Sequence, residues 1–212
     1  MNAQGSHYFD EEPTTESDPR EVSLLLPDGS LRLMTDRGVF GYDRIDPGTK
    51  LLLLKAPPLP ERGDVLDLGC GTGAIALTMA RRAPHATVWA VDVNERARSL
   101  TRANAELNSI SNVMVAAPDE VPDDIRFGAI WSNPAIRIGK PALHAMLLKW
   151  LSRLEAEGHA VMVVHKHLGS DSLQAWLDRQ GYPTRRLASS SGYRILESSS
   201  SGATPEADRP RP

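Results

Sequence analysis

The chain has 212 residues, 41% hydrophobic and 24% charged, with a formal net charge of −3, which suits one globular α/β domain of roughly 150 to 200 residues with short appendages. No apolar stretch approaches the ~18 residues that span a bilayer, and Met1 to Asp10 lacks the basic and apolar runs of a secretory signal, so a cytoplasmic location and no membrane partner are expected. Cys70 is the single cysteine, which excludes an intrachain disulfide and a four-cysteine zinc site, and no metal is expected.

Residues 1–19 hold Asp10, Glu11, Glu12, Glu16 and Asp18 without a Lys or Arg, and Glu206 and Asp208 balance Arg209 and Arg211 in residues 198–212, so the total of −3 leaves residues 20–197 at +2. Residues 1–20 read as a disordered acidic segment holding one apolar island, His7-Tyr8-Phe9, and 198–212 as a disordered Ser/Pro tail. The folded domain is expected at 21–197. Val22 to Leu26 and Leu31 to Thr35 read as strands joined through Pro27-Asp28-Gly29-Ser30, a hairpin signal. Gly38-Val39-Phe40-Gly41 follows as a loop, then a short helix from Leu51 to Lys55, broken by Pro57, Pro58 and Pro60.

From there strands and helices alternate. The strands are Val65 to Leu68, Thr87 to Val91, Val113 to Ala116, Phe127 to Trp131 and Gly158 to His165. The helices are Ala74 to Arg82, Glu95 to Asn108, Ala142 to Leu154 and Ser172 to Gln180, the third with Leu143, Leu147, Trp150, Leu151 and Leu154 on one stripe. Thr184 to Ala188 and Arg194 to Glu197 close the chain as a hairpin. This order predicts a doubly wound, mostly parallel α/β sheet of seven strands, one antiparallel, with helices on both faces and an N-terminal β-hairpin. Ligands on such sheets bind beyond the carboxyl ends of the strands, at the switch point.

The sharpest motif stands there: Val65-Leu66-Asp67-Leu68-Gly69-Cys70-Gly71-Thr72-Gly73, between a strand and a helix. Its glycines let the backbone turn tightly and approach a ligand, and the helix beyond points unpaired N–H groups at whatever binds. Asp92, at the end of the next strand and about twenty residues on, suits a carboxylate that accepts from ribose hydroxyls. Dinucleotide sites use G-x-G-x-x-G, whereas this loop is G-x-G-x-G with Asp67 two residues ahead. An acid there can face an ammonium group, which a pyrophosphate lacks and S-adenosylmethionine carries. The expected cofactor is therefore S-adenosylmethionine, held by Asp67, Gly69, Cys70, Gly71, Gly73, Asp92, Val93 and Asn133, with Asn94 and Asp119 near the adenine.

The stretch V-L-D-L-G-C-G-T-G-A-I-A at 65 to 76 and V-D-V-N at 91 to 94 resembles class I S-adenosylmethionine-dependent methyltransferases. Ser132-Asn133-Pro134-Ala135-Ile136-Arg137-Ile138-Gly139-Lys140, Leu143-His144 and Gly192-Tyr193-Arg194 narrow the resemblance to the small-methyltransferase domain of bacterial rRNA guanine-N2 methyltransferases, over about His7 to Glu197. It implies methylation of an exocyclic amine, most specifically guanine N2, with ribosomal RNA or a ribosomal subunit as partner. Asn133 and the Pro134 carbonyl would grip the two N–H bonds of the amine. The family pattern is Asn-Pro-Pro followed by an aromatic. Ala135 and Ile136 depart from it, so backbone restraint on Pro134 is expected to be lost and base stacking to fall to Phe40 or Tyr42. Gly128 departs too, where an acid is common.

Phe40, Arg137, Lys140 and Lys166 are candidates for substrate contact, with His167 beside the last. Asn104 and Asn108 read as structural, Cys70 as a packed residue, His144 as surface, and Arg185, Arg186 and Arg194 as an exposed strand face. A small-molecule or protein-glutamine acceptor, or a non-catalytic S-adenosylmethionine- or RNA-binding module, fits the same motifs. Larger members of the resembled family carry a further domain ahead of the catalytic one. This length leaves no room for it, so RNA recognition would fall to the catalytic domain, the hairpin or a dimer, and the sequence sets no oligomeric state.

Overall fold

Strands that are apolar on both faces must be covered on both, and those of this chain are. Val65 and Leu66 of one strand, and Val161, Met162 and Val163 of another, are all buried although successive side chains point to opposite faces. The computed structural model describes residues 15–200. His7-Tyr8-Phe9 and the residues beyond Ser200 lie outside the described residues.

The elements in order are β1 (Arg20–Leu26), β2 (Gly29–Thr35), α1 (Pro47–Lys55), β3 (Arg62–Leu68), α2 (Ala74–Arg82), β4 (His85–Val91), α3 (Glu95–Leu107), β5 (Val113–Ala116), β6 (Phe127–Ser132), α4 (Lys140–Leu151), β7 (Leu154–His165), α5 (Ser170–Arg179), β8 (Thr184–Ser190) and β9 (Tyr193–Ser199). Single 3-10 turns cover Ile136–Ile138 and Lys166–Leu168. β1 and β2 form their own antiparallel pair, and the other seven strands make one sheet in the order β5-β4-β3-β6-β7-β9-β8. All neighbours in it run parallel except β9, which is antiparallel to both β7 and β8. The chain moves outward from β3 to β5 and returns to β6, so the switch point lies at the tips of β3 and β6.

One face of the sheet packs Leu52 and Leu53 of α1, Ile75, Leu77 and Met79 of α2 and Leu24, Leu31 and Leu33 of the hairpin. The other packs Leu143, Leu147, Trp150 and Leu151 of α4 with Leu173 and Leu177 of α5. Several boundaries extend beyond those expected from the sequence: α1 begins at Pro47, β3 at Arg62 and β7 at Leu154. Leu154 continues the α4 stripe in spacing, but α4 ends at Leu151 and Leu154 opens β7. Arg153, buried between them, lies 5.0 Å over the Trp150 ring and 5.2 Å over Phe127 and donates to the Ile125 and Pro122 carbonyls. At the other end β9 runs on to Ser199, past the expected edge of the tail.

The hairpin is moored to α3 by two carboxamides. Asn104 accepts from Met34 N at 2.7 Å and donates to Met34 O at 2.9 Å. Asn108 accepts from Arg32 N at 3.2 Å and donates to Arg32 O at 2.7 Å. Asn104 also donates to Thr72 O at 2.9 Å, joining the hairpin to the glycine loop. The structural role read for both residues is this one.

Candidate active site

The site begins where β3 stops. Gly69 N and Cys70 N donate to Val91 O at 2.8 and 3.1 Å, which ties the turn to the tip of β4. Gly71 has φ +55° and Gly73 φ +83°, backbone that glycine adopts without a Cβ clash. A Cβ at Gly73 would also stand 3.0 Å from Thr101 Cγ2, so this glycine lets α3 pack against the loop. Cys70 is buried, its sulfur 3.4 Å from the Thr101 hydroxyl.

Gly71 N donates to one oxygen of Asp92 at 2.9 Å and Asn94 N to the other at 3.0 Å. The carboxylate is thus pinned at the cleft wall, with lone pairs left on both oxygens. Burial holds its pKa above the ordinary carboxylate value. Asn94 is fully buried and caps α3: its oxygen accepts from Ala97 N at 3.2 Å and its amide nitrogen donates to Gly38 O at 2.9 Å. It therefore organises the 36–41 loop, and its side chain is committed away from an adenine.

Asp67 is not at the cleft wall. It is fully buried, and its Oδ2 accepts from Ala76 N at 2.9 Å, so it satisfies the first turn of α2 from inside the protein. Its Oδ1 has no hydrogen-bond partner, and burial pushes the carboxyl up to about 8. One of the helix N–H groups expected to meet the ligand is spent on this bond.

Over the strand tips lies a cleft of about 860 Å³, within the roughly 300–1,000 Å³ of small-molecule sites. Gly69, Gly71, Asp92, Val93 and Pro118 line it, together with Phe40, Ile136, Ile138, Leu168, Asn133 and Pro134. Arg137, His165, His167 and Tyr193 also line it. Asp119 is exposed in the turn after β5, where its neighbour Pro118 reaches the cleft instead. Lys140 and Lys166 are exposed and off the lining, and His144 stacks on Trp176 at 3.7 Å between ring centroids. Tyr42 is held by Asp18 and Arg20, so of the two aromatics only Phe40 faces the cleft. Arg185 pairs with Glu197, and Arg186 and Arg194 with Asp171.

Asn133, at the end of β6, donates its amide nitrogen to Asp46 Oδ2 at 3.0 Å and to Thr49 Oγ1 at 2.9 Å. An ionised carboxylate only accepts, so the amide nitrogen must face Asp46, and Oδ1 is the polar atom left to the cleft. Asp46 is itself the N-cap of α1, accepting from Thr49 N at 2.8 Å, and Tyr193 donates to its other oxygen at 3.4 Å. Asp46-Pro47 carries a local signal, an N-cap followed by proline at the first helical position, but nothing in the sequence ties Asp46 or Thr49 to Asn133. Pro134 is buried, and its carbonyl accepts from Ile136 N at 2.8 Å. Ala135, at φ −70° and ψ 72°, is the centre of an inverse γ-turn. The turn supplies the backbone restraint expected to be missing, and the Pro134 carbonyl keeps one lone pair.

A model of the methyltransferase small domain matches residues 30–197. The chain belongs to the methyltransferase small domain family. It is 33% identical to the uncharacterized protein YbxB of Bacillus subtilis over 90% of this chain and 96% of that one. It is 31% identical to ribosomal RNA small subunit methyltransferase C of Pseudomonas paraeruginosa over 83% of this chain and 53% of the relative, so it spans about half the length of that protein. The fold superposes on a 16S rRNA N2 methyltransferase of T. thermophilus, solved in complex with AdoMet and guanosine, with a TM-score of 0.75 and 24% identity over 88% of this chain and 52% of that one.

S-adenosylmethionine suits the residues of this methyltransferase domain. A Cβ at Gly69 would meet nothing within 4 Å, so the cradle is open to a ligand. Asp92 offers a fixed carboxylate for ribose hydroxyls, and the flanks of the cleft are apolar enough for an adenine. Among the described residues no group of His, Cys, Asp or Glu is placed to hold a metal ion, and no helix is long and apolar enough to cross a membrane.

Proposed function

We propose that the chain is an S-adenosylmethionine-dependent methyltransferase acting on an exocyclic amine, guanine N2 of ribosomal RNA, with free RNA or a ribosomal subunit as its partner. The locked orientation of Asn133 carries this reading. An aromatic amine is a poor nucleophile because its lone pair is delocalised into the ring. Two acceptors that grip both N–H bonds favour the pyramidal nitrogen and aim its lone pair. Asn133 Oδ1 and the free lone pair of the Pro134 carbonyl are such a pair, adjacent in the chain and facing one cleft. The cofactor, when bound, supplies a methyl group already activated by a sulfonium. Gly69 and Gly71 cradle it, Asp92 holds its ribose, and Phe40 offers a ring on which a base can stack. Arg137 at the rim suits a backbone phosphate. The similarity to proteins named ribosomal RNA small subunit methyltransferase C supports the choice of acceptor.

The test is transfer of labelled methyl from S-adenosylmethionine to undermethylated small ribosomal subunits and free 16S rRNA, followed by nucleoside analysis. The expected product is N2-methylguanosine, with Asn133→Ala slowing transfer by about 10²- to 10³-fold. Label in protein or in a small-molecule fraction, with none in RNA, would remove the base as acceptor. Full activity in Asn133→Ala would remove the mechanism.

A further inference from the structure

A small bay of about 30 Å³ opens beside the main cleft. The two share Phe40, Asp46, Gly69, Gly71 and Asn133, so a ligand lying on the glycine loop runs from one into the other. The bay is on the side of Thr72, Ala74 and Ile75, where α2 begins, and away from Asp92 and Pro118. A ligand whose ribose meets Asp92 therefore sends its other end here. Two opposite charges border the bay: Arg44 and Asp46, two residues apart in the segment that leads into α1.

Arg44 is exposed and makes no hydrogen bond or ion pair among the described residues, although many of the other arginines are paired. Asp46 offers an oxygen whose single contact is the 3.4 Å approach of the Tyr193 hydroxyl. The acid that the motif itself places near the loop, Asp67, is sealed in the core and bonded to Ala76 N. It is out of reach of a ligand in the cleft. A zwitterion presents one carboxylate and one ammonium on a single carbon, and a cation and an anion on one short segment match that arrangement.

The geometry points to Arg44 and Asp46 as the subsite for the amino-acid end of the cofactor, Arg44 toward its α-carboxylate and Asp46 toward its α-ammonium. This rests on the cofactor reading above. The Asp46 oxygen that holds Asn133 is the other one of the pair, so a single carboxylate orients the catalytic amide and takes part of the cofactor. Arrival of the ammonium and alignment of the amide are then linked through one side chain.

Calorimetry with three ligands tests this without turnover: S-adenosylhomocysteine, which has both charges; decarboxylated S-adenosylhomocysteine, which keeps only the ammonium; and 5′-methylthioadenosine, which has neither. Arg44→Gln is expected to weaken S-adenosylhomocysteine about tenfold or more and to leave the other two ligands unchanged. Asp46→Asn keeps an acceptor oxygen for the Asn133 amide, and is expected to weaken both ammonium-bearing ligands and spare 5′-methylthioadenosine. Equal losses across all three ligands, or no loss in either variant, would overturn the subsite. Failure of the unsubstituted protein to bind any of the three would sink the cofactor reading instead, so the two failures are distinguishable.

Discussion

The Asp46 carboxylate and the Asn133 carboxamide, 87 residues apart in sequence, are joined by a hydrogen bond of 3.0 Å. The N-terminus of α1 thus sets which atom of Asn133 is left to the cleft. Thr49, one turn further, takes the second amide hydrogen. Thr49→Val keeps the shape and removes that acceptor. Single-turnover methyl transfer at saturating cofactor is expected to fall roughly 10- to 100-fold as the amide swings. An unaltered single-turnover rate would show that Asp46 alone fixes the amide.

Ala135 stands at φ −70°, the value that a proline ring imposes. No hydrogen bond from its N–H is present among the described residues. Ala135→Pro, which restores the family's Asn-Pro-Pro, is therefore expected to stabilise the fold by about 0.5 kcal/mol through the unfolded chain and to preserve activity. Thermal unfolding checks it, and a lowered midpoint would mean that Pro134 cannot hold the extended conformation a following proline requires.

Burial pushes the Asp67 carboxyl up to about 8 in the folded state, from the 3.8 of a free carboxyl. Below pH 4 it is neutral folded or unfolded, and it imposes no penalty. Between pH 4 and pH 8 only the unfolded chain releases the proton, so the stability that a neutral buried carboxyl supplies is lost as pH rises through that window. Asp67→Asn stays neutral throughout, and its midpoint relative to the parent is expected to improve steadily from pH 4 to pH 8. Parallel pH profiles for the two proteins would show that the group is ionised in the fold.

The Asn104 carboxamide makes three hydrogen bonds, to Met34 N, Met34 O and Thr72 O, from a fully buried position. Asn104→Ala strands all three backbone groups and is expected to cost about 3 kcal/mol in urea unfolding. The same substitution at Asn108, whose bonds to Arg32 are exposed to water, is expected to cost much less. Because Thr72 belongs to the glycine loop, Asn104→Ala should also weaken S-adenosylhomocysteine. Equal costs at the two positions would contradict the difference in burial.

Most of the sheet was legible because its residues obey simple periods. α2 and β5 fall at the expected residues, since apolar alternation and the glycine loop bound them on both sides. The spacing of Leu154 from Leu151 is helical, whereas α4 ends at Leu151 and Arg153 packs between Phe127 and Trp150. The glycine loop, Asp92 and Asn133 could be read as candidates because motif spacing is local. The partnership of Asn133 with Asp46 could not, because it depends on how α1 docks across the sheet. Asp67 could be read as an acid near the loop, but not as one turned inward. Direction is a property of packing, and the alternation of β3 leaves the reach of a single carboxylate undetermined.

Asn104 and Asn108 grip the hairpin by its main chain alone. Four helical residues advance about 6 Å and two strand residues about 6.6 Å, so carboxamides one turn apart, in the last turn of α3 and at its C-cap, fall opposite alternate peptides of β2. Nothing in this clasp reads the side chains at 32 and 34. The solvent-facing positions of the hairpin, Arg32 among them, can therefore drift in sequence while the joint beneath them remains intact.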